Sequence, residues 1–423
     1  MTITQEDLAA RIRQAREACG MKQADVAEKL GVSRPTFTQI ENGNRAVSSL
    51  ELTRLAFLFG RDLREFVADS FSEDDPLAVL FRAHPEVGER DGVSDALRAC
   101  AALARELSNL EKLLGISRDA QAPPAYAHPV PGSRREAVEQ GLRTAEDERR
   151  RLGLGDKPAP DVCELLEVQG IRTGMAKLPD DISGLTLYDR TVGFFVVANE
   201  NHHWLRRRFS HAHEYAHVLL DRQRRGTVSA GSSRNDLLEV RANVFAAAFL
   251  MPESGVADFI TSLGKGKQSR SYTSVFDEQG SVAVEGRTEP GSQDLQLYDV
   301  VQLAHNFGVS RQAALYRLKN LGLLKEPDLE RLKAEDLNKG NQVSTLLGFN
   351  DVSHEHARNQ FRHRFIGLAL EAYRRDKISR KKLLELGGIV EVGEEDLTAL
   401  LQSLGFDTAE DAEADVLLPG EGA

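Results

Sequence analysis

The sequence predicts a mainly α, multi-domain protein with a five-helix N-terminal module, an α+β domain carrying a small sheet, and a helical C-terminal region. Three observations carry that reading. Residues up to about 67 show five short amphipathic segments separated by helix-capping residues. Two strand-like runs, 183–188 and 191–199, lead into long segments of helical period. Helical period returns over 297–324 and again over 364–400.

The first helix opens at Gln5-Glu6-Asp7-Leu8, and its apolar positions Leu8, Ile12 and Ala15 recur at helical spacing. A second helix starts at Gln23 and ends at Gly31. Ser33 then caps a third, which carries Pro35 in its first turn and is terminated by Gly43. Ala27, Val32 and Ile40 are the inner contacts expected to set the angle of this helix-turn-helix. Residues 1–68 resemble, from end to end, the DNA-binding domains of the XRE/Cro repressor family. The resemblance implies double-stranded DNA as partner, with the third helix in the major groove. Arg34, Thr36, Thr38 and Gln39 carry donors and acceptors suited to base edges, and Gln23, Asn44 and Arg45 lie where phosphate contacts would anchor the module. Such modules usually read DNA as dimers, which leaves a homodimer open. A protein-binding module that kept the fold is the alternative. Net charge is −11, so DNA affinity must come from a local patch.

Residues 69–132 read as a helical connector and a linker. Asp69 to Pro76 is acidic and turn-rich, helical period follows over 77–114, and the Pro-rich stretch from Gln121 to Gly132 breaks every regular element. The next domain is expected over 133–262. Arg134 to Leu152 forms a charged helix, and Val162 to Gln169 starts the segment leading to the sheet. The runs 183–188 and 191–199 form a hairpin turning at Asp189-Arg190, and this strand pair offers an edge along which an extended peptide could align. Trp204 to Leu220 is an amphipathic helix through Leu205, Phe209, Ala212, Ala216 and Leu220. Leu237 to Met251 is another, stopped by Pro252, with Ala242, Phe245, Ala246 and Phe249 as its packing face.

The first of these helices contains His213-Glu214-Tyr215-Ala216-His217. Histidines at i and i+4 leave one face together and can share a tetrahedral Zn2+ ion. Glu214, beside the first histidine, is placed to take a proton from water as general base. Five residues match by chance often enough that a third ligand is required, and Glu239 at the start of the neighbouring helix supplies it. The bland alternatives are surface histidines and a solvated carboxylate at a helix start. His211 lies about 200° round the helix from His213, which makes it a second-sphere or surface residue. Asn243, one turn after Glu239, either orients that carboxylate or serves helix packing. Tyr188, Tyr298, His202, His203 and Arg234 are all candidates to stabilise an oxyanion.

The stretches Phe209 to Leu220 and Glu239 to Pro252 resemble, in order, the two linked motifs of the ImmA/IrrE family of zinc metallopeptidases. The resemblance implies a zincin-like fold and an endopeptidase in a bacterial regulator. The family's precedent for a protein substrate is a helix-turn-helix repressor whose cleavage switches on stress, phage or mobile-element genes. Two positions depart from the family pattern: Ala216 stands where it usually has Gly, and His211 where it has a hydrophobic residue.

Residues 263–296 are rich in Gly, Ser, Lys and Arg and are expected to be a flexible insertion, whereas 297–406 is expected to be helical and 407–423 an acidic tail. Leu297 to Leu324 looks like another helix-turn-helix, expected to pack on the domain before it. Hydrophobic content of 41% and charged content of 28% fit a soluble globular chain. No apolar run is long enough to span a membrane and no secretion signal is evident, so a cytoplasmic location is expected. Cys19, Cys100 and Cys163 lack metal spacing, which fits a reducing compartment. Together these features point to a DNA-binding transcription regulator that carries a zinc-dependent peptidase. A non-proteolytic regulator that senses a ligand or metal through the same fold is the alternative, and an antitoxin-like repressor a third.

Overall fold

The computed structural model describes residues 3–61, 63–68, 92–116, 123–189, 192–222, 226–230, 236–266, 270–277, 280–287, 289, 291–349, 355–390 and 392–403. Asp69 to Pro76, Arg234 and the acidic tail 407–423 lie outside these residues. The chain forms two compact units, Met1–Cys100 with Gln121–Val352, and Ala101–Ala120 with Ser353–Ala423.

In the first unit, five helices open the chain: α1 Gln5–Ala18, α2 Gln23–Leu30, α3 Arg34–Glu41, α4 Ser49–Leu58 and α5 Leu63–Val67. Side-chain caps fix where they start, since Thr4 accepts from Asp7 N at 3.1 Å and Ser33 from Thr36 N at 3.2 Å. Ile12, Val26, Ala27, Phe37, Ile40, Leu55 and Phe66 fill one small core, with Val32 packed against it. The three residues expected to set the angle of the helix pair are thus all in contact with that core. Helix α6, Val93–Leu113, follows.

Then come α7 Arg134–Arg151, α8 Val162–Val168, β1 Arg172–Ala176, β2 Ile182–Asp189, β3 Gly193–Asn199, α9 Trp204–Leu220, β4 Gly226–Ala230, α10 Leu237–Leu250 and α11 Glu253–Ser262. The sheet order is β1-β3-β2-β4, with β1 parallel to β3 and the other pairs antiparallel. The β2–β3 hairpin is the one the sequence suggests. Neither of its strands is an edge, however. The edges are β1 and β4, five-residue strands whose sequences, RTGMA and GTVSA, show no clear alternation. Any edge that aligns a peptide beside β2 is therefore β4.

Helices α9 and α10 pack through Tyr215, Phe245 and Phe249, with the two phenylalanine rings stacked at 5.4 Å. Helix α7 lies on α10 at very short range. A Cβ at Gly141 would stand 2.6 Å from the Arg241 carbonyl and 3.1 Å from Val244, so only glycine permits the approach, despite its cost of about 1 kcal/mol within a helix. Helices α12 Leu297–Phe307, α13 Arg311–Asn320 and α14 Glu326–Leu346 join the same core through Val300, Phe307, Leu315, Leu318 and Leu329. Arg317 Nε also donates to the Met251 carbonyl at 2.9 Å. This helix pair is packed into the domain, as expected.

Within the stretch read as a flexible insertion, β5 Arg270–Asp277 and β6 Gly280–Arg287 pair antiparallel. Gly, Ser and charged residues dominate the composition of this stretch, but Tyr272, Thr273, Val275, Phe276, Val282 and Val284 within it favour strands. In the second unit, the part of α6 from Ala101 onward packs with α15 Glu355–Arg374, α16 Arg380–Ile389 and α17 Glu394–Ser403 around Leu107, Leu110, Phe365, Leu383, Leu386 and Leu397. Among the described residues, no single helix is long and apolar enough to cross a membrane.

Candidate metal centre and DNA-facing helix

Helical geometry puts His213 and His217 one turn apart on α9, with their Nε2 atoms 3.2 Å from each other. Asp236 caps α10 by accepting from Leu238 N at 2.9 Å, which sets Glu239 in the first turn facing α9. Its Oε2 lies 3.2 Å from His213 Nε2 and its Oε1 lies 3.3 Å from His217 Nε2. A tetrahedral ion with bonds of about 2.0–2.1 Å has donors roughly 3.3–3.4 Å apart, so the three side chains are spaced to hold one. Among the described residues this is the only group of three or more His, Cys, Asp or Glu side chains whose ligand atoms all lie within 4.8 Å of one another.

Each imidazole is oriented from behind. His213 Nδ1–H donates to Asn243 Oδ1 at 3.0 Å and His217 Nδ1–H to Asp221 Oδ2 at 2.9 Å, which turns both Nε2 atoms toward the common point. The sequence leaves Asn243 either orienting Glu239 or serving helix packing; its side-chain oxygen holds His213 instead. Asp221 is in turn bound by Arg241 Nη2 at 2.6 Å. With no ion bound, burial pushes the Glu239 carboxyl up, but the two histidines outweigh it and hold it at about 2. Burial likewise pushes His217 down. The hydrogen bonds to Asp221 and Glu239, with the Glu214 charge nearby, outweigh that and raise it to about 10.

Glu214 is fully buried and lies against β2. Its Oε2 accepts from Thr186 Oγ1 at 2.7 Å, whereas its Oε1 has no hydrogen-bond partner among the described residues. A Cβ at Gly184 would stand 3.1 Å from that Oε1 and 2.9 Å from the Val197 carbonyl, so glycine is what lets the carboxylate lie on the strand. An orphaned, buried carboxylate oxygen is costly unless something polar is bound there during function.

His211 is buried away from this cluster. Its ring lies 3.6 Å from Cys163 Sγ on α8, Nδ1 donates to the Arg207 carbonyl at 2.9 Å, and burial depresses it to about 4. The oxyanion candidates are scattered. His202 turns to the Asp180 carbonyl at 3.1 Å, His203 caps α9, Tyr188 packs on Phe194 with ring centroids 5.0 Å apart, and Tyr298 sits beside Lys265. The sequence reading missed Gly184, Thr186, Asp221, Arg241 and Gln140. Asp221, four positions after His217, and a glycine inside a strand were the available signals.

On the N-terminal module, Arg34, Gln39 and Asn44 are exposed and Thr36 is half-buried beside the Ser33 cap. Gln23 and Thr38 turn inward: Thr38 Oγ1 donates to Gln23 Oε1 at 3.3 Å and Gln23 Nε2 to Glu41 Oε2 at 2.6 Å. Arg16 completes that network by pairing with the buried Glu41 at 2.7 Å. Arg45 pairs with Glu51 at 2.8 Å.

Residues 7–67 match the Helix-turn-helix domain family, and residues 166–275, which include both histidines and Glu239, match the IrrE N-terminal-like domain family of metallopeptidases. No curated protein matches the chain. Among solved structures, the crystal structure of ComR from Streptococcus suis is 13% identical and covers 94% of this chain and 96% of its own, but its TM-score of 0.15 is too low to bear on the fold. The chain is therefore a fusion of a helix-turn-helix domain with an IrrE N-terminal-like peptidase domain.

Proposed function

We propose that the protein is a DNA-binding transcription regulator whose peptidase domain is a zinc-dependent endopeptidase acting on one particular regulatory protein, a repressor being the expected type. Its location would be the cytoplasm. The observation that carries this reading is the pair of Nε2 atoms of His213 and His217, 3.2 Å apart on the helix that also presents Glu214, with the two Glu239 carboxylate oxygens from α10 lying 3.2 and 3.3 Å from them. Two neutral imidazoles and one carboxylate are the donor set of a catalytic zinc site, which keeps a position open for water or substrate. Zinc there would lower the pKa of water and polarise a peptide carbonyl.

Glu214 would take the proton from the attacking water through Oε1, while Thr186 holds the other oxygen and fixes the carboxylate's orientation. That proton would then pass to the leaving amine nitrogen as the C–N bond breaks. Strand β4, the sheet edge next to β2, would align the substrate chain in extended form. On the N-terminal module, Arg34, Thr36 and Gln39 of α3 would face base edges, with Asn44 and Arg45 toward phosphates, while Gln23 and Thr38 brace the helix pair through Glu41.

The test compares full-length wild type with Glu214→Gln and His217→Ala in cells, reading new protein N-termini, target-gene expression and zinc content. We expect wild type alone to generate new N-termini in one or a few proteins. Glu214→Gln should keep zinc and His217→Ala should lose it. Unchanged gene regulation in Glu214→Gln would overturn the peptidase mechanism in favour of a non-proteolytic sensor.

A further inference from the structure

A buried chain of polar contacts runs from His217 to the Pro-rich segment that precedes α7. His217 Nδ1–H donates to Asp221 Oδ2 at 2.9 Å, and Arg241 Nη2 donates to Asp221 Oδ1 at 2.6 Å. Arg241 Nη1 donates to Gln140 Oε1 at 2.9 Å, and Gln140 Nε2 donates to the Pro129 carbonyl at 3.1 Å. Four separate parts of the chain meet in this line. Arg241 is only 2% exposed and stands first among the large, fully buried side chains. A guanidinium taken out of water costs several kcal/mol unless it is well paired, so its burial needs a cause beyond packing.

The same Pro-rich segment is fastened around the turn that carries Asp221. Tyr126 N–H donates to the Leu219 carbonyl at 3.0 Å, and Arg222 Nη2 donates to the Pro124 carbonyl at 2.9 Å, so the two anchor points bracket Asp221. The Tyr126 hydroxyl donates to Glu148 on α7 at 2.8 Å. At the other side, the contact at Gly141 brings α7 onto α10 and delivers the neighbouring Gln140 to Arg241.

We propose that Asp221, Arg241 and Gln140 are positioning residues for the metal site, and that residues 123–131 act as a strap to which they key His217. Asp221 selects the Nδ1–H tautomer of His217 and fixes the ring plane, so that Nε2 is presented to the ion. Arg241 holds the Asp221 carboxylate in place. Gln140 ties Arg241 to the strap. Displacing the strap then loosens His217, although no strap residue touches the ion. This inference rests on the metal-site reading given above.

The test is zinc affinity of the full-length protein in chelator-buffered titrations. Asp221→Asn should weaken zinc roughly 10- to 100-fold. Gln140→Leu should weaken it by a smaller factor. The double variant should bind about as weakly as Asp221→Asn alone, because Gln140 reaches His217 only through Arg241 and Asp221, so the two effects do not multiply. Ser133→Ala removes the cap of α7, where Ser133 accepts from Glu136 N at 3.2 Å, and should leave affinity unchanged while lowering stability. Unaltered affinity in both single variants, multiplicative losses in the double, or an equal loss in Ser133→Ala would each overturn the positioning role. A wild type that binds no zinc overturns the metal reading itself.

Discussion

Zinc affinity should rise steeply with pH, because in the zinc-free protein His217 is held at about 10 by Asp221 and Glu239 against its burial. Between pH 6 and 8 its ring therefore carries a proton that must leave when zinc binds. Each pH unit then tightens binding tenfold, or about 100-fold from pH 6 to 8, where an imidazole at its ordinary value of about 6.5 gives only about fourfold. The assay is dye competition corrected for zinc's buffer speciation, with calorimetry in two buffers to count the proton released. A rise of fourfold or less, with no proton released, would refute the electrostatic picture of the site. The sign for stability follows the same groups. His217 is raised above its unfolded value, so its pairing stabilises the zinc-free fold fully below about pH 6.5 and is lost as pH rises through about 10. Glu239 is depressed, so its contribution is present above 4.5 and is lost as pH falls through about 2. Zinc-free protein should accordingly be best supported by these groups between about pH 4.5 and 6.5.

Gly184→Ala sets a Cβ 2.9 Å from the Val197 carbonyl and 3.1 Å from Glu214 Oε1, and should cost about 1–3 kcal/mol in denaturant unfolding. It should also lower peptidase activity more than zinc content; normal activity would remove Glu214's placement against β2 from the mechanism. His211, buried and neutral, is depressed from 6.5 to about 4, so stability should be full above pH 6.5 and fall by about 3 kcal/mol as pH drops through 4. His211→Leu should flatten that acid limb, as read by thermal melts across pH 4 to 7. Arg34→Ala and Gln39→Ala should weaken DNA binding by the full-length protein in a fluorescence titration. Arg34→Ala should reduce the salt slope by about one if it contacts phosphate, and relax sequence preference without changing the slope if it reads a base.

Much of the site was legible because its core is local. An i, i+4 histidine pair with an adjacent glutamate follows from helical period alone, and the strand pair, the helix stopped by Pro252 and the caps at Ser33 and Gly43 are written in single segments. The module's apolar spacing likewise gives its five helices. Period fails where the information is shared between distant segments. Strands β1 and β4 carry too little alternation to be read alone, and they become strands because β3 and β2 offer them partners.

The sequence by itself determined which residue types could hold a metal and on which helices they stand, since spacing along a helix dictates which side chains share a face. Tertiary structure decided what makes that set a site. The close approach of α7 to α10 at Gly141 brings Gln140 to Arg241, a residue 101 positions away, and through it reaches Asp221 and His217. The bare strand surface at Gly184 gives Glu214 its place beside Thr186. Orientation of a buried polar group depends on partners supplied by packing, and packing between distant segments has no period for a sequence to display.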